Sequence, residues 1–177
     1  MIEDTRRIVT GHDENGTSVV VIDGPPGNRL AKGARGLVQL WQTDGKALDR
    51  RDGADIVPDR LTLYPPAGGT KLLFVAIGPD DPGLTSEELE EQAADGFAAM
   101  DASDARVNTR RHPRMHETKT VDYIILLQGE VTLLLDGDSR DLRPFDVVIQ
   151  RGTNHAWICK GEEPALLAAV LIDANFR

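Results

Sequence analysis

The chain is short of cysteine, of positive charge and of long apolar runs, and each shortage excludes something. Cys159 is the only cysteine in 177 residues, so there is no intrachain disulfide and no cysteine-rich zinc site. A formal net charge of −9 leaves no broad basic face, which argues against nucleic-acid and anionic-membrane partners. No apolar run approaches the roughly 20 residues needed to span a bilayer. The first residues lack the basic-then-apolar order of a signal peptide, so a reducing, cytoplasmic setting is expected. There is no internal repeat, no helix-turn-helix pattern and no GxGxxG or phosphate-binding loop, so no nucleotide cofactor is expected.

What is present is a succession of short apolar runs broken by Gly and Pro, the pattern of a mostly β chain. Residues 7–10 and 18–22 flank Asn15-Gly16 as a hairpin. Further strands fit residues 36–41 and 71–77, with a charged surface loop over 46–60. Thr85 and Glu88 form a capping-box pair, and Leu89, Ala93, Phe97 and Met100 follow at helical spacing, predicting one helix over 85–101. From residue 121 onward strands become dense: 121–127, 131–135, 147–149, 156–158 and 166–172, with turns at Gln128-Gly129 and Asp136-Gly137. Such strands suggest a closed barrel or sandwich. The expected organisation is one structural domain: a β extension over 1–84, the helix, and a core barrel over 102–177.

Four histidines stand in the sequence: His12, His112, His116 and His155. His12 falls in a predicted turn, and His112 beside Pro113 in a loop. His116, Thr118, Asp122 and Gly129 lie in the frame of the first cupin motif, which has two His one residue apart, then a Glu, then a Gly. Pro144-Phe145-Asp146 and Gln150 to His155 lie in the frame of the second. Over about residues 112–173 the chain resembles the cupin superfamily, in the small single-barrel, cupin_2-type, RmlC-like subgroup. It departs from that pattern where Thr118 stands for a histidine, Asp122 for the glutamate, Phe145 for the turn glycine, Gln150 for the proline and Cys159 for an asparagine.

The resemblance implies an antiparallel double-stranded β-helix (jelly-roll) barrel around a small-molecule pocket, and it implies a homodimer. Its reduced ligand set would be His116, Asp122 and His155, a two-His, one-carboxylate arrangement suited to Fe(II), Mn(II), Zn(II) or Ni(II). A straight strand from His116 to Asp122 would span about 20 Å, so a shared site requires a bend between them. Thr118 and Trp157 are expected pocket residues, Trp157 because it shares strand parity with His155. Tyr123 is a candidate proton donor. Of Trp41, Phe74, Tyr123, Leu126, Trp157 and Leu171, those that face inward would set specificity. Three functions fit: a metal-dependent enzyme with oxygenase-like or carbonyl-polarising chemistry, a metal-free isomerase, dehydratase or decarboxylase using His116 or His155 as acid–base, and a non-catalytic ligand-binding module. Each acts on a small organic molecule.

Overall fold

The computed structural model describes residues 2–176. The strands are β1 (Arg7–His12), β2 (Ser18–Gly24), β3 (Arg29–Lys32), β4 (Arg35–Thr43), β5 (Thr70–Ile77), β6 (Thr120–Gln128), β7 (Val131–Leu135), β8 (Ser139–Leu142), β9 (Val147–Arg151), β10 (His155–Cys159) and β11 (Ala165–Asp173). One helix, α1 (Ser86–Ala99), and a 3-10 turn over Ser103–Ala105 separate β5 from β6. The result is a mostly β, antiparallel cupin-type barrel. A six-stranded sheet of order β3-β4-β5-β11-β6-β9 faces a three-stranded sheet of order β10-β7-β8, and β1-β2 forms a separate hairpin. The strands of residues 1–84 are joined to the later ones edge to edge, through the ladder that pairs Thr70–Ile77 with β11.

Alternation makes these strands. In β6, Thr120, Asp122, Ile124 and Leu126 are buried, while Tyr123 and Ile125 between them face out. In β11, Ala165, Leu167, Ala169 and Leu171 do the same on one face. With Leu63, Leu73, Phe97, Met100, Val131, Leu133 and Trp157 they form one core between the two sheets and beneath α1. Period-2 patterning therefore determines which side chains enter the barrel. The helix begins as expected: Thr85 Oγ1 accepts the Glu88 N–H at 3.2 Å, and Glu88 Oε2 accepts the Thr85 N–H at 2.8 Å.

Strands β3 and β8 have no counterpart in the expectations from sequence. Both are sheet edges, and Arg29-Leu30-Ala31-Lys32 and Ser139-Arg140-Asp141-Leu142 carry the charged side chains that blunt an edge rather than an apolar rhythm. Phe145, which replaces the motif glycine, takes up the same left-handed turn at φ 76° with its side chain 79% exposed.

Gly129 has no such freedom to change. It turns β6 into β7 at φ +83°, and a Cβ there would stand 2.8 Å from both Cα and Cβ of Ala165. Gly129→Ala is therefore expected to cost on the order of 1–3 kcal/mol, read from urea unfolding. An unchanged midpoint would show that this turn does not depend on glycine.

Candidate functional site

His116 lies outside the named strands, yet it is paired with His155, the first residue of β10. The two exchange backbone hydrogen bonds, N–H to carbonyl in both directions, each 2.9 Å. In such a pair the side chains leave on the same side, and the ring centroids lie 4.3 Å apart. Phe97 covers the outer side of His116 at 4.8 Å, and Trp157 meets His155 edge-on at 5.4 Å. The bend that a shared site requires is present: residues 117–119 are irregular, and β6 starts only at Thr120.

Each imidazole is held by the backbone. His116 Nδ1 lies 3.0 Å from the Arg114 carbonyl and His155 Nδ1 2.9 Å from the Thr153 carbonyl. A carbonyl only accepts, so Nδ1 carries the hydrogen on both rings and Nε2 keeps its lone pair. Among the described residues, neither Nε2 has a hydrogen-bond partner. Burial lowers His116 to about 4, against the pull of its backbone hydrogen bonds. Burial, then the neighbouring His116, holds His155 well below its ordinary value. Both rings are neutral at physiological pH. Asp122 moves the other way: burial raises it to about 6, with Thr120 opposing, and its Oδ1 is buried without a hydrogen-bond partner.

These groups line a cavity of about 250 Å³, just under the usual size range of ligand pockets. Leu63, Leu73, Met100, Ile124, Leu167 and Trp157 supply apolar wall, while Lys32, Arg35, Gln92 and Arg114 also contribute. Thr118 faces the cavity too, with its Oγ1 2.6 Å from that of Thr120. On the inner side of α1, Gly96 leaves open space: a Cβ there would meet nothing within 4 Å.

Of the residues singled out from sequence, His116, Asp122, His155, Thr118, Trp157 and Leu171 all line this one cavity. Tyr123 does not. Strand alternation places it on the outer face of β6, 46% exposed, so a proton-donor role inside the pocket is ruled out by its direction. Trp41 and Phe74 are half-buried elsewhere, and Leu126 is buried in the core without lining the cavity. His12 ends β1, remote in the fold from the cavity lining. His112 is half-buried and tied to Asp80, and Asp80, Arg35, Gln92 and Arg114 had no mark in the sequence. The backbone carbonyls of Arg114 and Thr153, and not Asp122, fix the histidine tautomers.

Two imidazoles with Nδ1 bound to carbonyls and Nε2 free are half of a metal shell. A third ligand does not join them. Among the described residues no three His, Cys, Asp or Glu side chains lie close enough together to hold one ion. In this arrangement the residues do not complete a site for a resident metal.

No protein-family model matches the chain. Curated relatives do. Phomopsin biosynthesis cluster proteins D and C' of Diaporthe leptostromiformis are each 30% identical over 161 residues, covering 85% of this chain and 68% of theirs. The cupin-domain-containing oxidoreductase virC of Hypocrea virens is 40% identical over 65 residues, 34% of each chain. The chain belongs to the cupin superfamily. Among solved structures it is similar to a Cupin 2 conserved barrel domain protein from Salinispora arenicola (18% identity, 65% of this chain, 73% of that one, TM-score 0.38). It is also similar to an RmlC-like cupin from Shewanella frigidimarina (10% identity, 81% and 80% covered, TM-score 0.40). Among the described residues no helix is long and apolar enough to cross a membrane.

The opposed shifts make a stability prediction. Asp122 ionises at about 6 in the folded chain against an ordinary 3.8, so folding favours its neutral form, and that advantage is lost as pH rises through about 6. Asp122→Asn has no charge to bury. Its urea midpoint is expected to rise relative to wild type between pH 3.8 and 7; a gap that is flat or shrinks with pH would show that Asp122 is not held neutral by burial.

Proposed function

We propose that the cavity is an enzyme active site that moves protons on a small, largely apolar organic molecule, as an isomerase or a lyase. The observation that carries this reading is the pairing of shifts inside one cavity. His116 is kept in the base form down to about 4, His155 is held well below its ordinary value, and one carboxyl keeps its proton up to about 6. Groups pushed apart in this way are matched for acid and base roles. In the reaction, Nε2 of His116 or His155 takes a proton from a carbon next to a carbonyl. The Asp122 carboxyl gives its proton to a departing hydroxyl, releasing water, or to the carbonyl oxygen, forming an enol. The apolar walls exclude bulk water and so strengthen each of these interactions.

A second reading has one observation in its favour. The paired Nε2 lone pairs and the unpartnered Asp122 Oδ1 are the donors of the two-His, one-carboxylate set expected from the motif, and a shift of Asp122 toward the rings would complete it. A divalent metal held there would polarise a carbonyl or, as iron, support oxidation. The homodimer expected by resemblance has a candidate surface in the exposed outer face formed by Tyr123, Ile125, Val147 and Ile149, where β9 ends the sheet.

The two chemistries differ in pH dependence. With a panel of small carbonyl and hydroxycarbonyl compounds in deuterated water, wild-type protein is expected to introduce deuterium next to the carbonyl or to eliminate water. The rate should be highest between about 4 and 6, where His116 is neutral and Asp122 protonated. His155→Gln and His116→Gln should each slow it by roughly 10²–10⁴-fold. Chelators should leave it unchanged. A rate abolished by chelation and restored by Fe, Mn, Zn or Ni would replace the acid–base reading with the metal one, and unaffected histidine variants would defeat both.

A further inference from the structure

The charged residues that line the cavity are unbalanced. Lys32, Arg35 and Arg114 stand against a single carboxyl, Asp122, in a chain whose net charge is −9. Lys32 is exposed, but the two guanidiniums are mostly buried, at 20% and 17% side-chain exposure. Arg35 comes from the start of β4, and Arg114 lies two residues before His116, whose ring its own carbonyl holds.

Both arginines share one oxygen. Asp80 Oδ1 accepts Arg35 Nη2 at 2.7 Å and Arg114 Nε at 3.2 Å. Asp80 Oδ2 faces His112 Nε2 at 3.0 Å, and His112 Nδ1 accepts the Arg114 backbone N–H at 3.1 Å. Arg114 Nη2 donates to Gln92 Oε1 at 2.8 Å. Among the described residues, Nε and Nη1 of Arg35 and Nη1 of Arg114 have no hydrogen-bond partner. Two fixed cations therefore meet one fixed anion, and one unit of positive charge is left over beside an apolar cavity. Burial first, and then the neighbouring Arg114, lower Arg35, with Asp80 opposing.

We propose that Arg35 and Arg114 bind the carboxylate of an amphipathic substrate, whose apolar body occupies the barrel between α1 and the two histidines. This rests on reading the cavity as an active site. A monoanion matches the single surplus charge, and a planar carboxylate matches the unused edges of planar guanidiniums. Asp80 is then a positioning residue, pinning both arginines at the cavity, with His112 pinning Asp80. The apolar body fits the walls and the space that Gly96 leaves in mid-helix, where glycine is otherwise disfavoured by about 1 kcal/mol relative to alanine.

Binding separates this from catalysis. In calorimetric titrations of the full chain, 3-phenylpropanoate is expected to bind on the order of tenfold tighter than 3-phenylpropan-1-ol. Arg35→Gln and Arg114→Gln should each bring the acid down to the affinity of the alcohol and leave the alcohol unchanged. Arg35→Lys keeps the charge without the planar fork and should recover only part of the preference. Gly96→Leu, which fills the cavity from the helix, should weaken both compounds. Equal affinity for acid and alcohol, no binding of the acid by wild type, tighter binding of 3-phenylpropyl phosphate than of the acid, or acid binding untouched by Gly96→Leu would each overturn the carboxylate subsite. If the acid preference fails while proton exchange persists, only the subsite is lost. If the preference holds while the histidine variants still exchange protons, it is the acid–base reading that fails.

Discussion

The site depends on a single pair of backbone hydrogen bonds. His116 belongs to no strand, and 39 positions separate it from His155, yet the reciprocal 2.9 Å bonds between them fasten an irregular segment to the edge of the three-stranded sheet. That bridge brings the two rings within 4.3 Å. It also draws Arg114 to the cavity, and it lets the chain bend over residues 117–119 so that β6 can start in the opposite sheet. From there the two-residue period of β6 carries Thr120, Asp122, Ile124 and Leu126 inward. Side chains from the irregular segment, both sheets and α1 thus converge on one space.

Dryness then decides the chemistry. The core that surrounds the rings is apolar, so a proton on either imidazole, or a charge on Asp122, loses solvation that the backbone carbonyls and Thr120 restore only in part. The rings respond by staying neutral and the carboxyl by keeping its proton. An unpartnered Asp122 Oδ1 is a cost to folding, of the kind retained at functional sites rather than in structural cores. Beside the cavity the opposite strategy holds: Asp80 gathers Arg35, Arg114 and His112 around one carboxylate and is lowered to about 2, first by the His112 hydrogen bond, against desolvation, and then by the arginines.

How much of this was legible in the sequence follows from where periodicity and motif operate. The barrel strands with apolar rhythm and the capped helix were visible through alternation and capping, and the cupin motif frame implied that His116 and His155 share one pocket; their backbone bridge was not foreseen. Asp122 was legible as a cavity residue for the same reason. The neighbouring Tyr123 was not a pocket residue, and strand parity alone separates the two. The edge strands β3 and β8 were hidden because edges carry charge instead of hydrophobic pattern. Arg35, Asp80 and Arg114 were hidden, and His112 was visible only as a loop histidine, for a different reason. They come from a hairpin end and two irregular loops, where no period states which way a side chain turns, and only the fold brings them together.

The most direct test of this account is the protonation state of the two rings. Long-range nitrogen–proton correlation spectra of imidazole-labelled protein report, for each histidine, which nitrogen carries hydrogen and at what pH the ring becomes charged. The account predicts that His116 and His155 are neutral Nδ1–H tautomers at pH 7, with His116 charging near 4 and His155 well below the ordinary imidazole value. Either ring protonated at Nε2, or titrating near the ordinary 6.5, would contradict it.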